Sequence, residues 1–190
     1  MDTNNCIARR RSIRRFKNRP IEIDKLKKMV EAARLAPSAA NLQPLRYCIV
    51  HKKELCRQIF ETLRWAGYLK DWSPSKDEQP TAYIVILVAD TDNKWYSYDV
   101  GLAAENIMLS AENIDIGSCI LGSVDREKVK KILDVPDRYK IDSVIALGYK
   151  DEECMVEDME DNSVEYWRDE EDILHVPKRK LSDIMFIDEF

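Results

Sequence analysis

Histidine is almost missing from this 190-residue chain: His51 and His175 are the only two, and neither sits in a metal-ligand spacing or beside a nucleophile motif. Histidine-dependent hydrolysis is therefore disfavoured, and no metal is expected. The five cysteines, Cys6, Cys48, Cys56, Cys119 and Cys154, are widely spaced, odd in number and without any CxxC. That pattern indicates neither a disulfide framework nor a zinc site, and most of the thiols read as small core hydrophobes. No apolar run is long enough to span a bilayer, and the N-terminus lacks the apolar stretch of a signal peptide, so a cytoplasmic location is expected. Internal repeats, low-complexity tracts and Gly/Ser linkers are lacking too, which makes residues 1–190 one domain.

What is present describes a globular protein able to bury a real core, with 45% hydrophobic and 34% charged residues. The net charge of −5 hides an asymmetry. Residues 1–30 carry ten Lys/Arg against three Asp/Glu, whereas 151–172 carry twelve Asp/Glu against Arg168 alone. The densest positive stretch is Arg9 Arg10 Arg11 Ser12 Ile13 Arg14 Arg15 Phe16. Guanidinium groups at this density supply the planar donors that hold a phosphate or another bidentate acid. A solvated arm or a nucleic-acid patch is the plainer reading of the charge. Ile13 and Phe16, however, interleave apolar side chains with the arginines, and the run leads into a well-signalled helix, so it is expected to pack against the fold.

A short opening helix is possible over Asp2–Arg11. From Asp24, Leu26, Met29, Val30 and Ala33 recur at helical spacing, and that helix should end before Pro37. Two prolines then enclose Ala36 Pro37 Ser38 Ala39 Ala40 Asn41 Leu42 Gln43 Pro44, either an ordinary turn or a loop that lets backbone approach a flat ligand. Tyr47–Val50 reads as a strand and 54–63 as a helix. Residues 64–80 read as an irregular connection or a mobile flap beside a pocket. Ala82–Ala89 suits a buried central strand. Helix 98–113 is apolar nearly all round, which calls for burial inside the chain or at a subunit interface. Residues 117–122 form a strand running into a turn, with Gly122 permitting positive φ or close backbone approach. Asp125 caps a helix that Pro136 stops, and Ser143–Leu147 is a strand ended by Gly148. The acidic segment, about 151–172, reads as a solvated, partly ordered excursion. The tail, about 177–190, carries Lys178 Arg179 Lys180 and then apolar residues that should dock on something.

Several stretches together resemble the FMN-dependent nitroreductase family: Arg10 Arg11 Ser12 Ile13 Arg14 with Phe16; the loop Ala36 to Pro44; the apolar helix leading to Gly117 Ser118 Cys119 Ile120 Leu121 Gly122; Ala146 Leu147 Gly148 Tyr149; and Lys178 Arg179 Lys180 Leu181. The resemblance runs nearly end to end. It implies an α+β fold, a mostly antiparallel central sheet flanked by helices, assembled as an intertwined homodimer with two non-covalent FMN sites at the interface. It implies that Arg10, Arg11, Ser12 and Arg14 hold the flavin phosphate, ribityl chain and polar ring edge, with Arg179 completing the phosphate site. Pro37, Ser38, Ala39 and Asn41 would come from the partner, and the backbone of Ile120, Leu121 and Gly122 would lie near the flavin N5.

On this reading no side chain is a nucleophile. The flavin carries the chemistry, and Arg14 near the N1/C2 edge tunes it. The expected activity is hydride transfer from NAD(P)H to a small acceptor such as a nitroaromatic or quinone, in a ping-pong cycle. A flavin-binding protein that stores or senses FMN, or a flavin-fragmenting or dehalogenating relative, are the alternatives. Leu45, where many family members carry an aromatic residue, and Leu121, at a position often bulkier, mark departures in the pocket. Neither a membrane nor nucleic acid is an expected partner, given the acidic balance and the lack of a helix-turn-helix, zinc-finger or aromatic RNA-binding signature.

Overall fold

A computed structural model describes residues 2–89 and 92–189. The central sheet is built on β3 (Ala82–Val88), in which all seven residues are buried. It lies between β2 (Leu45–Val50) and β5 (Lys140–Lys150), antiparallel to both. The other edge of β5 pairs antiparallel with β4 (Ile116–Leu121), and the two-residue β1 (Phe16–Lys17) pairs with the end of β5 beyond β3. The α+β, antiparallel expectation holds.

Alternation along β3 divides the core in two. Ala82, Ile84, Ile86 and Val88 face a cluster built with α2 (Ile23–Arg34) and α4 (Tyr96–Glu112), which contribute Leu26, Met29, Ala33, Val100, Ala103, Ala104 and Ile107. Tyr83, Val85 and Leu87 face the opposite cluster, with Cys56 and Ile59 from α3 (Lys53–Phe60) and Val129 from α5 (Arg126–Ile132). The Asp125 carboxylate accepts from the Lys128 N–H at 3.1 Å and starts α5, as its position suggested. The first helix, α1, is Thr3–Arg9. Residues 64–80 contain no regular helix or strand, yet Trp65 and Ala66 are buried in the second cluster.

Two expectations are corrected. The last strand of the main sheet does not stop at Gly148 but runs to Lys150, because β1 and β4 extend its ladder. Gly148 and its cross-strand partner Gly117 instead leave a hollow that Phe16 and Ile13 fill. A Cβ at Gly148 would lie 2.6 Å from Phe16 Cδ1, and one at Gly117 would lie 2.8 Å from Ile13 Cγ2. The acidic excursion is also more ordered than its composition suggests: β6 (Cys154–Asp158) and β7 (Trp167–Arg168) flank β8 (Leu174–Lys178) in a second, three-stranded sheet.

Helix α4 settles its two alternatives unevenly. Most of its apolar residues are buried within the chain, but Tyr98 and Leu102 remain 63% and 46% exposed, beside Trp95 at 56%. The tail beyond the short 3-10 turn Leu181–Asp183 is likewise uncovered in the single chain, with Ile184 58% and Ile187 72% exposed. Among the described residues no helix is long and apolar enough to cross a membrane.

Candidate flavin site

The arginine run is fixed by its apolar members. Ile13 and Phe16 are 4% and 0% exposed, the Ile13 N–H donates to Ser118 O at 2.9 Å, and Ser12 bridges Ser118 at the open edge of β4. The charged members are thereby left outside the core and meet different fates. Arg9 pairs with Glu112 at 3.6 Å, Arg10 Nε with Glu105 at 3.0 Å, and Arg15 with Asp172 and, at 3.5 Å, Glu78.

Arg11 and Arg14 make no ion pair among the described residues. The Arg11 guanidinium donates to the carbonyls of Ala8, at 2.6 Å, and Arg10. That of Arg14 reaches Ser12 O at 3.3 Å and lies 4.5 Å from the centroid of the Tyr166 ring. Burial, aided by the neighbouring charge of Arg10, pushes the Arg11 pKa below the usual arginine value. Its charged form is thus under-compensated, and a bound anion would relieve it.

Along β4 from Ser118, Ile120 is 38% exposed and Leu121 is buried. Gly122 has no positive φ, so the conformational reason for a glycine there does not apply. The space a Cβ would take is open, with nothing within 4 Å. Two guanidiniums without an ion-pair partner among the described residues, beside an accessible strand end, fit the anionic tail and flat ring of FMN in chemical type.

The Pro37–Asn41 loop forms a second group. Its short 3-10 turn, Ala39–Asn41, holds Ala40 at φ 49 and Asn41 at φ 55, followed by Gln43 at φ 51. Left-handed backbone at these non-glycine residues needs outside support. Asp99, 2% exposed in the first turn of α4, supplies it: Ser38 Oγ donates to Asp99 Oδ2 at 2.6 Å and the Ala39 N–H to Oδ1 at 2.9 Å. The Gln43 N–H then donates to Ser38 Oγ at 2.9 Å. A cleft of about 410 Å³ opens beside the loop, floored by Val30, Ala33, Leu45 and Tyr47 and bordered by Lys27, Arg34 and Arg46. Burial, with the charge of Asp99, raises the Tyr47 hydroxyl to about 12, so it stays a neutral donor.

Arg179 stands apart. The start of β8 is tied to the run's neighbourhood by Leu174 N–H to Glu153 O, at 2.9 Å. Arg179 follows the far end of the strand, roughly 16 Å on at the usual rise per residue, and donates to Asn162 Oδ1 at 3.1 Å. Within one chain, the structure brings Arg10, Arg11, Ser12 and Arg14 together beside the strand that ends in Ile120 and Leu121, with Gly122 just past its end. It joins neither Arg179 nor Pro37, Ser38, Ala39 and Asn41 to them. Two buried carboxylates, Asp99 and Glu152, organise the site and escaped the sequence reading. An acid in the first turn of a helix whose neighbouring positions are mostly apolar was the available signal for Asp99.

Comparison with known proteins gives a consistent result. Residues 7–149 match the model of the Nitroreductase family. A protein of Archaeoglobus fulgidus, provisionally named NADH dehydrogenase/NAD(P)H nitroreductase, is 33% identical over 161 residues, 80% of this chain and 87% of that one. A crystal structure under the same provisional name, from Parabacteroides distasonis, superposes with a TM-score of 0.71 at 25% identity, covering 99% of this chain and 98% of its own. An FMN-dependent nitroreductase of Clostridium difficile shares the fold, with a TM-score of 0.71 at 24% identity over 97% of this chain and 98% of that one.

Proposed function

Because the chain belongs to the Nitroreductase family, we propose that it is an FMN-dependent oxidoreductase in which NAD(P)H and a small acceptor use one cleft in turn. When bound, FMN supplies the redox chemistry, taking hydride from the nicotinamide and returning it to an acceptor such as a nitroaromatic or quinone. The protein's part is to grip the coenzyme and set its surroundings. Arg11 and Arg14 supply uncompensated positive charge for the phosphate and the N1/C2 edge, Ser12 a hydroxyl, and the backbone at Ile120–Gly122 a close wall near N5. Arg10, whose Nε is already held by Glu105, keeps its terminal nitrogens for the same anion. The observation that carries the reading is the pair of guanidiniums, Arg11 and Arg14, without an ion-pair partner among the described residues of an otherwise heavily paired run.

The same proposal includes a homodimer in which Pro37, Ser38, Ala39 and Asn41 and the Arg179 tail complete a neighbouring copy's site. The exposed strip of Trp95, Tyr98 and Leu102 and the uncovered tail support it. A yellow preparation that releases FMN on denaturation and bleaches when NADH or NADPH is added anaerobically is the expected result. An unchanged oxidised spectrum with both nicotinamides would make the protein a flavin binder without turnover. A monomer by light scattering at micromolar concentration would rule out shared sites.

A further inference from the structure

The acidic excursion lies beyond the stretch matched by the family model, and its first glutamates adjoin the arginine run. The run's backbone donors account for themselves in order. Ile13 N–H goes to Ser118 O at 2.9 Å and Phe16 N–H to Glu78 O at 3.0 Å. The two amides between them, Arg14 and Arg15, find no backbone carbonyl among the described residues. Both donate to a single side-chain oxygen, Glu152 Oε1, the second at 3.1 Å. The Glu152 side chain is 0% exposed, and its other oxygen takes a charge-assisted bond from Arg168. Arg168 in turn donates to Asp172 O at 2.8 Å and lies 5.5 Å over the Trp72 ring. One more stitch, Asp151 N–H to Arg15 O at 3.1 Å, holds the run from the other side.

We propose that Glu152 is a positioning residue for the cofactor: its buried carboxylate turns the main chain at Arg14 and Arg15 so that the Arg14 guanidinium faces the flavin without an acidic partner of its own. The inference rests on the reading that the run holds FMN. An acid that bonded the guanidinium directly would spend the positive charge, whereas one that bonds the backbone amides leaves it available. Arg168 supplies the counter-charge that a buried carboxylate requires. The excursion thus contributes internal support for the basic run, and Glu152 acts on the coenzyme only through Arg14.

The test is an FMN titration of wild type, Glu152→Ala, Arg14→Ala and the double variant, followed by fluorescence quenching, with the midpoint potential of the bound flavin as a second readout. Glu152→Ala is expected to weaken FMN at least tenfold and to move the potential negative, the same direction expected of Arg14→Ala. In the Arg14→Ala background the Glu152 substitution should add less than about threefold, since neighbours acting through one contact are non-additive. Glu152→Gln keeps an acceptor oxygen for both amides but presents an NH2 to Arg168 in place of the second oxygen, so it should recover only part of the affinity lost in Glu152→Ala. Should Glu152→Ala fail to fold, Glu152→Asp, too short to reach both amides from the same backbone, should show the tenfold loss instead. Unchanged affinity in the Ala or Asp variant, or a loss that adds fully to that of Arg14→Ala, overturns the proposal while leaving FMN binding intact. A folded wild-type chain that binds no FMN overturns it together with the cofactor reading.

Discussion

Gly148→Ala should unfold this protein far more readily than its single added methyl suggests. The new Cβ would lie 2.6, 2.7 and 2.8 Å from Phe16 Cδ1, Cβ and Cγ. Rotating the ring about its Cβ–Cγ bond relieves only the first contact, because Cγ lies on that axis and Phe16 Cβ is fixed to the main chain. Residue 16 is 0% exposed and paired to Lys150 in β1, so the backbone must move by most of an ångström or the ladder must open. Overpacking of this kind costs about 1–3 kcal/mol; we expect the upper half, about 2–3 kcal/mol, because backbone and not a side-chain end must yield. Urea unfolding at fixed protein concentration, read as a shift of midpoint at constant slope, measures it. Gly101→Ala is the internal control. It lies mid-helix in α4 with nothing within 4 Å of the added carbon in the single chain, so in monomeric protein it should gain up to about 1 kcal/mol from helix propensity, whereas in the proposed dimer its place beside Tyr98 and Leu102 makes it a probe of that interface. A Gly148→Ala protein within about 0.5 kcal/mol of wild type would refute the packing argument, since changes that small are typical of unconstrained surface sites.

Arg11→Ala and Arg14→Ala should each weaken FMN by about 2 kcal/mol, the worth of a charge-assisted contact in a partly desolvated site; equal affinity in equilibrium dialysis would refute their assignment. Asp99→Ala strips the Ser38 hydroxyl and Ala39 N–H of their acceptor and should cost about 2–3 kcal/mol in chemical denaturation, with the 36–44 loop becoming protease-sensitive. His175 is bonded to Asp169 at 3.0 Å and Glu157 at 2.9 Å, and the bonds to these carboxylates raise its pKa above 6.5. Its folded form therefore binds the proton more tightly than the unfolded one. The stabilisation is complete below pH 6.5 and fades as pH rises through the raised value. The stability gap between wild type and His175→Ala should narrow on going alkaline, and a gap that widens would contradict the sign.

The elements that the sequence reveals are those whose signal is local. Helix α2 announces itself by Leu26, Met29 and Ala33, β3 by seven consecutive apolar residues, and α5 by its Asp125 cap. Gly148 misleads because a glycine inside a strand looks like a terminator, when its purpose is to admit Phe16 from 132 residues away in sequence. The second sheet hides because Met155 and Val156 are both exposed, which erases the alternation, and because parallel β6 and β8 are joined by a charged segment with no helical crossover of its own. At the site, the arginine run is legible from density alone. The division into paired Arg9, Arg10 and Arg15 and unpaired Arg11 and Arg14 depends on acids spread over α4, the 64–80 segment and the excursion. Glu152 is compositionally identical to the solvated acids that follow it.

The placement of β5 has a consequence for how the chain is made. Strands β1, β3 and β4 all pair with it, and all precede it in sequence. The main sheet cannot close until residue 150 of 190 has left the ribosome. Until then, only β2 among the strands of that sheet can shelter β3, by the antiparallel pairing they make on their own, and its other edge waits as a bare apolar template. Such late closure through distant contacts slows folding and exposes the nascent chain to association with its neighbours.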